Sequence, residues 1–262
     1  MPGTLDRILE TTRAGLPALW ARRHSIEQAA RSAPRPPGLL ARWNPTRVGL
    51  IAEVKRRSPS AGPIGPELDP VAHAAAYSRA GACAVSVLTD GPFFGGSLED
   101  LRAVAATAGV PALRKDFILD ELQIAEARAA GASAVLLIVR ALGRERLAEL
   151  LEAARLWEVD ALVEVHDARE LETALASGAV TIGVNSRDLD TLAVDVDAAW
   201  QLLSRLPGDR VAVAESGMAT AADVGRAAEA GADLVLIGTA LSAAADPTAL
   251  AAACAAVPRR GR

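Results

Sequence analysis

Eight short apolar runs, rich in β-branched residues, recur along the chain and set its architecture. They span Val48–Val54, Ala84–Leu88, Pro111–Arg114, Ala134–Ile138, Ala161–Val165, Val180–Val184, Val211–Ala214 and Leu234–Ile237. Runs of this length, bounded by turn or charged residues, suit strands buried on both faces of a parallel sheet. Segments of helical spacing separate them: Leu98, Leu101, Val104 and Ala105; Leu122, Ala125 and Ala129; Leu147, Leu150, Leu151 and Ala154; Leu171, Ala174 and Leu175. Ala80-Gly81-Ala82, Ala130-Gly131-Ala132, Ser177-Gly178-Ala179 and Ala230-Gly231-Ala232 each precede a strand, and glycine there is the expected left-handed helix stop. These glycines lie 50, 47 and 53 residues apart, about two strand–helix units each. Helix starts are marked as well, by Asp69-Pro70, Asp120 and Asp167.

Eight strands alternating with eight helices in roughly 210 residues is the arithmetic of a (β/α)8 TIM barrel. A doubly wound open sheet would need a glycine-rich phosphate turn after the first strand, where Glu53-Val54-Lys55-Arg56-Arg57-Ser58 stands instead. Ahead of the first strand, Leu5, Ile8, Leu9, Leu16, Leu19 and Trp20 suggest one extra amphipathic helix. The proline-rich stretch 32–38 reads as a connector. The expected organisation is one barrel domain, with a helical extension over 1–47 and the barrel over 48–257.

Composition narrows the function. The net charge is −4, which argues against a nucleic-acid-binding domain, and the apolar runs are too short to span a membrane. Two cysteines, Cys83 and Cys254, exclude a disulfide framework and a four-thiolate zinc site. Three dispersed histidines, His24, His73 and His166, show no ligand spacing, so no metal site is expected. The start, Met1-Pro2-Gly3-Thr4-Leu5-Asp6, lacks a basic segment followed by an apolar one, and a cytoplasmic location is expected. Sharper still, only two of the 28 basic residues are lysines, Lys55 and Lys115. Where charge alone suffices the chain uses arginine. Lysine is a compact ammonium whose pKa can be tuned for proton transfer, so both lysines are candidates for chemistry.

In a barrel the active site lies at the C-terminal ends of the strands. There the chain places Glu53 and Lys55 after strand 1, on one side by alternation. Lys115 follows strand 3, Glu164 lies near the end of strand 5, and Asn185 and Arg187 follow strand 6. Glu215, Ser216 and Gly217 follow strand 7, and Gly238 and Thr239 follow strand 8. Three glutamates and two lysines at one rim can push each other's pKa values apart, which lets one site hold an acid and a base. Asp90, Asp116 and Asp188 read as caps or loop-ordering groups, His166 as structural, and the cysteines as packing. Ser216, Gly217, Gly238 and Thr239 let backbone N–H groups approach a phosphate where this fold commonly binds one, and Ser58 offers a further hydroxyl. The three phenylalanines, Phe93, Phe94 and Phe117, all lie in loops of this face, which points to a flat apolar or aromatic substrate moiety.

The strings from Ile51 to Ser60, Phe93-Phe94-Gly95-Gly96-Ser97, Leu113-Arg114-Lys115-Asp116-Phe117-Ile118, Leu162-Val163-Glu164-Val165-His166, Asn185-Ser186-Arg187-Asp188-Leu189 and Ala214-Glu215-Ser216-Gly217 closely resemble the indole-3-glycerol phosphate synthase family of tryptophan biosynthesis. The match runs in order over nearly the whole chain. The resemblance implies a barrel lyase that closes the indole ring of 1-(2-carboxyphenylamino)-1-deoxyribulose 5-phosphate and releases carbon dioxide and water. It implies no cofactor and no metal. The partner is that small phosphorylated, anthranilate-derived substrate, with neither nucleic acid nor membrane involved, and an acidic barrel of this kind can be monomeric.

Carried over by position, the resemblance makes Lys115 the general acid and Glu164 its basic counterpart in the dehydration. Lys55 binds the substrate carboxylate and shares in the dehydration; which lysine acts at which step stays open. Glu53 holds one of the two lysines, and Asn185 and Glu215 bond substrate hydroxyls. Arg187 binds the carboxylate or orders the site. Ser58, Ser216, Gly217, Gly238 and Thr239 cradle the phosphate, and Phe94 and Phe117 pack on the ring. The chain departs from the family at Ser186, at Thr239 and at Ser242-Ala243, where a methionine–arginine pair is common. The missing arginine is expected either to weaken phosphate affinity or to shift a salt bridge, and it removes none of the catalytic groups. The neighbouring reaction on this fold, phosphoribosylanthranilate isomerisation, calls for a rim cysteine or aspartate acid–base pair, and no cysteine lies at this rim. A non-catalytic ligand-binding paralogue is expected to have lost Lys115 or Glu164, and both are present.

Overall fold

The computed structural model describes residues 3–65 and 67–261; Met1 and Pro2, at the start examined for a leader, lie outside them. Eight parallel strands close into a barrel: β1 (Gly49–Val54), β2 (Ala84–Leu88), β3 (Ala112–Lys115), β4 (Ala134–Ile138), β5 (Asp160–Val165), β6 (Thr181–Asn185), β7 (Val211–Glu215) and β8 (Leu234–Ile237). Each pairs with its sequence neighbours, and β1 closes the ring by pairing with both β2 and β8. The eight expected strands are all present, with ends shifted by at most one residue.

Helices α1 (Thr4–Trp20) and α2 (Arg23–Ser32) precede the barrel. Around it run α3 (Pro70–Arg79), the single-turn α4 (Gly91–Phe94), α5 (Leu98–Thr107), α6 (Glu121–Ala129) and α7 (Val139–Leu156, broken at Gly143). They continue with α8 (Ala168–Ala176), α9 (Val196–Leu203), α10 (Ala221–Glu229), α11 (Thr239–Ala243) and α12 (Pro247–Ala255). The marked starts act as expected: Asp69, Asp120 and Asp167 accept N–H groups of the first turns of α3, α6 and α8. The four recurring glycines, Gly81, Gly131, Gly178 and Gly231, take φ of +98°, +85°, +78° and +102°, a left-handed stop open to glycine at little cost.

Alternation along the strands sorts their side chains into two layers. Leu50, Ala52, Val85, Val87, Val135, Leu137, Val163, Ile182 and Val235 face outward into one core with the helices. Ile51, Ala84, Leu113, Ala134, Leu136, Leu162, Val213, Leu234 and Leu236 fill the interior. Both faces are apolar, and each fully buried leucine or isoleucine contributes about 1.5–3 kcal/mol, so the strand register is strongly specified.

The extension caps this cylinder at both ends. Leu5, Ile8 and Leu9 of α1 join the interior cluster with Phe117, and the Trp20 indole N–H donates to Asp120 at 3.1 Å. Instead of one extra helix there are two. Helix α2 lies along α6 through Ile26 and Ala30 against Leu122 and Ala125. The chain then crosses to the other end, where Leu39, fully buried, donates its N–H to Asp160 at 2.7 Å and Trp43 packs beneath β1. Among the described residues, no helix is long and apolar enough to cross a membrane.

Candidate active site

At the C-terminal mouth the inward-facing register passes from apolar to polar and charged residues. One step along each strand, Ile51 gives way to Glu53 and then Lys55, Leu113 to Lys115, Leu162 to Glu164, Gly183 to Asn185, and Val213 to Glu215. These side chains line one concave cavity that opens at this end of the barrel, with a few polar groups converging among apolar walls, as small-molecule sites do. Phe94, Phe117, Arg187, Ser216, Gly217, Gly238 and Thr239 complete the wall, with Leu136, Ile138, Leu189 and Met218 as apolar panels.

The lysines sit in two clamps. Lys55 Nζ lies 2.7 Å from Glu53 Oε1, and the other oxygen of Glu53 accepts the Ser86 hydroxyl at 3.3 Å. Lys115 Nζ donates to Glu164 Oε2 at 3.0 Å and to Glu215 Oε2 at 2.5 Å. The side chains of Lys55 and Lys115 are 16% and 14% exposed, whereas those of Glu164 and Glu215 are 2% and 1% exposed. The ammonium groups thus reach the cavity, and the carboxylates form its covered floor.

Two glycines make room for that floor. A Cβ on Gly183 would lie 2.0 Å from Glu215 Oε1, and one on Gly238 would lie 2.3 Å from Glu53 Oε1. Both carboxylates therefore fold over a bare backbone position on the adjacent strand or its end.

Electrostatics separates the cluster into acid and base. Burial opposes the charge on Lys115, but Glu164, Glu215 and Glu53 outweigh it and hold the ammonium above its usual range. Burial also works against charge on Glu164, yet Lys115 and His166 keep it below the usual carboxylate range. Glu215 moves the other way: burial, together with the charge on Glu164, raises it against the pull of Lys115. An ammonium that stays charged thus lies between a carboxylate that stays ionised and one drawn toward its neutral form.

The rim loops carry the rest. After β7, Ser216 and Gly217 both adopt positive φ, +65° and +72°. A side chain at Gly217 would press 2.6 Å from Val196 Cγ2, so the loop depends on glycine there. Gly238 leads into α11, whose first N–H groups lack intrahelical acceptors by construction. Asp90 caps α4 by accepting the Phe93 and Phe94 N–H groups at 2.7 and 3.0 Å, which presents Phe94 to Phe117 with ring centroids 6.2 Å apart. Arg187 donates to the Leu192 carbonyl at 2.9 Å, and its N–H reaches Asn185 Oδ1 at 3.0 Å.

Of the fourteen residues given a catalytic, substrate-binding or phosphate-binding role from sequence, thirteen line this cavity. The exception is Ser58, buried in a two-stranded ribbon (Arg57–Ser58 with Gly62–Pro63), where its hydroxyl accepts the Ala61 N–H at 3.2 Å. Glu215, expected against substrate hydroxyls, accepts a hydrogen bond from Lys115 Nζ. Glu53, expected on either lysine, pairs with Lys55. Phe93 packs against the interior cluster beside the cavity. His166, which reads from sequence as structural, lies outside the cavity wall with its Nε2 3.4 Å from Glu164 Oε1. Its spacing of two from Glu164 was the available signal, since alternation puts both on one side of the chain.

The fold and cavity are those of a (β/α)8 barrel that carries two lysines, each clamped by glutamate, at the C-terminal mouth. The family model for indole-3-glycerol phosphate synthase matches residues 5–253. An indole-3-glycerol phosphate synthase of Mycobacterium ulcerans (strain Agy99) is 46% identical over 250 residues, covering 95% of this chain and 92% of the relative. One of Azospirillum brasilense is 43% identical over 247 residues, covering 92% and 94%. The solved structure of a 3-hexulose-6-phosphate synthase superposes with a TM-score of 0.64 at 19% identity, over 80% of this chain and 99% of that one, a likeness of fold alone. The chain belongs to the indole-3-glycerol phosphate synthase family.

Proposed function

We propose that this chain converts 1-(2-carboxyphenylamino)-1-deoxyribulose 5-phosphate to indole-3-glycerol phosphate, with Lys115 as general acid and Glu164 as the basic partner. The supporting observation is the clamp in which Lys115 Nζ, between Glu164 and Glu215, opens into a cavity flanked by Phe94 and Phe117. Ring closure joins the aryl carbon that carries the carboxylate to the ketone carbon, and the ketone oxygen takes a proton from Lys115. Loss of carbon dioxide returns the bonding electrons to the ring. The new hydroxyl then leaves as water with an acid's help, and a base removes the proton that restores aromaticity. Glu164 is that base, and Lys55 meets the substrate carboxylate and shares in the dehydration.

Glu53 and Glu215 orient the two ammonium groups. Asn185 reaches substrate hydroxyls, and Arg187 meets the carboxylate or orders the loop that carries it. Ser216, Gly217, Gly238 and Thr239 receive the phosphate, while Phe94 and Phe117 pack on the aryl ring. Holding the aryl carbon against the ketone supplies much of the acceleration. The test is indole fluorescence developing when purified chain meets this substrate, run beside phosphoribosylanthranilate. Turnover of the second substrate alone would overturn the proposal.

A further inference from the structure

Behind Glu164, on the side away from Lys115, runs a chain of ion pairs, buried at His166 and Glu170 and half-exposed at Arg140 and Asp188, that the proposed chemistry does not use. His166 Nδ1 lies 3.0 Å from Glu170 Oε2, which also accepts the His166 backbone N–H at 2.8 Å. Glu170 Oε1 accepts Arg140 Nε at 2.7 Å, and Arg140 donates to Asp188 at 2.8 Å. Asp188 in turn accepts the N–H groups of Asp190 and Thr191, in the loop that follows Arg187. At the other end, His166 Nε2 faces Glu164 Oε1 at 3.4 Å. Among the described residues these two buried atoms make no hydrogen bond. A neutral imidazole would turn a lone pair toward one of the two carboxylates, a costly arrangement in a buried site. A doubly protonated ring gives each carboxylate a donor.

We propose that His166 is a positioning residue whose imidazolium bridges Glu164 and Glu170, holding Glu164 as an oriented carboxylate behind Lys115. This rests on the reading of Glu164 as the reaction's base. The groups that face the ring are Glu164 on β5 and Glu170 on α8. Arg140 on α7 acts through Glu170, Asp167 lies 3.7 Å from Arg140, and Lys115 on β3 holds the far oxygen of Glu164. Burial disfavours charge on His166, but the two glutamates outweigh it and raise the ring to about 9. The ring is not part of the cavity wall, so its influence passes through Glu164.

The experiment is the pH profile of kcat and KM for His166→Gln beside the wild type. Loss of a cation next to Glu164 should move the acidic limb of kcat upward by about one pH unit or more. At neutral pH kcat should fall about 10-fold, as for other lost hydrogen-bonding supports of a functional group, with KM unchanged. An unmoved limb, or equal changes in kcat and KM, would overturn the proposal. If the variant does not fold, nitrogen-15 NMR of the wild type decides, because only His24, exposed, and His73, half-exposed, share the spectrum. His166 should carry two ring protons at pH 7.5 and titrate near pH 9, falling toward the ordinary imidazole range in Glu164→Gln; a neutral ring at pH 7.5 would overturn the inference. Turnover surviving in Glu164→Gln would remove the base assignment instead, leaving the charge state of His166 as a separate result.

Discussion

Replacing Lys115 by methionine keeps an unbranched side chain, one atom shorter, and removes its charge, so it probes the acid and the clamp together. The amine it deletes lies 3.0 and 2.5 Å from two carboxylates whose side chains are 2% and 1% exposed. Those carboxylates have almost no access to water once the amine is gone. Breaking a buried pair of this kind costs about 3–5 kcal/mol, because the remaining charge lies uncompensated. With the cation absent, burial and mutual repulsion raise both Glu164 and Glu215 above their unfolded values. A carboxyl raised on folding favours the folded state below its unfolded pKa of about 4.3 and loses that advantage as pH rises through the folded value. Glu215, at about 7 even beside Lys115, places that loss in the neutral range.

The stability gap between Lys115→Met and wild type should therefore be widest near pH 8 and shrink toward pH 5, as read by urea unfolding across the range. In the same samples turnover should fall by at least about 10²–10⁴-fold, the contribution of a general acid. Binding of inorganic phosphate should stay close to that of wild type. Turnover near the wild-type rate would refute the acid assignment, and a stability gap independent of pH would refute the buried clamp.

Gly183→Ala puts a methyl 2.0 Å from Glu215 Oε1. It should lower stability by about 1–3 kcal/mol through overpacking and reduce kcat by releasing Lys115; undiminished kcat would show that Glu215 does not position the amine. Gly225→Ala, in α10 with open space around the new methyl, should raise stability by about 0.5–1 kcal/mol in urea melts without affecting turnover. The extension over 1–47 and the barrel over 48–257 share a core through Leu5, Ile8 and Leu9, so far-ultraviolet dichroism and tryptophan fluorescence should report one coincident transition. An early separate loss of the extension would contradict that unity.

Much of the site could be read from the sequence because a barrel strand has a period of two. Once Ile51, Leu113, Leu162 and Val213 are recognised as interior, Glu53, Lys115, Glu164 and Glu215 follow on the same side at the next step. The rarity of lysine then singles out the two amines. What the sequence could not reveal depends on neighbours across the barrel. That Glu215 holds Lys115 follows from the closure of the sheet and the reach of side chains from strands far apart in sequence, whereas Glu53 and Lys55 pair locally at a spacing of two. Gly183 reads as an ordinary strand glycine until the carboxylate of the next strand is seen occupying its place. Ser58 is drawn away from the cavity by its own ribbon, closed by the turn over Pro59-Ser60-Ala61 before Gly62. Helix α2 is short and poor in apolar residues, and Ile26 and Ala30 become informative only against α6.

The most direct test of the account is a crystal structure with an unreactive substrate analogue whose ketone is reduced to an alcohol. The resulting hydroxyl should lie about 3 Å from Lys115 Nζ, with the aryl ring against Phe94 and Phe117 and the phosphate on the loops of Ser216-Gly217 and Gly238-Thr239. An analogue bound with its hydroxyl remote from Lys115, or its phosphate at another end of the barrel, would contradict the account.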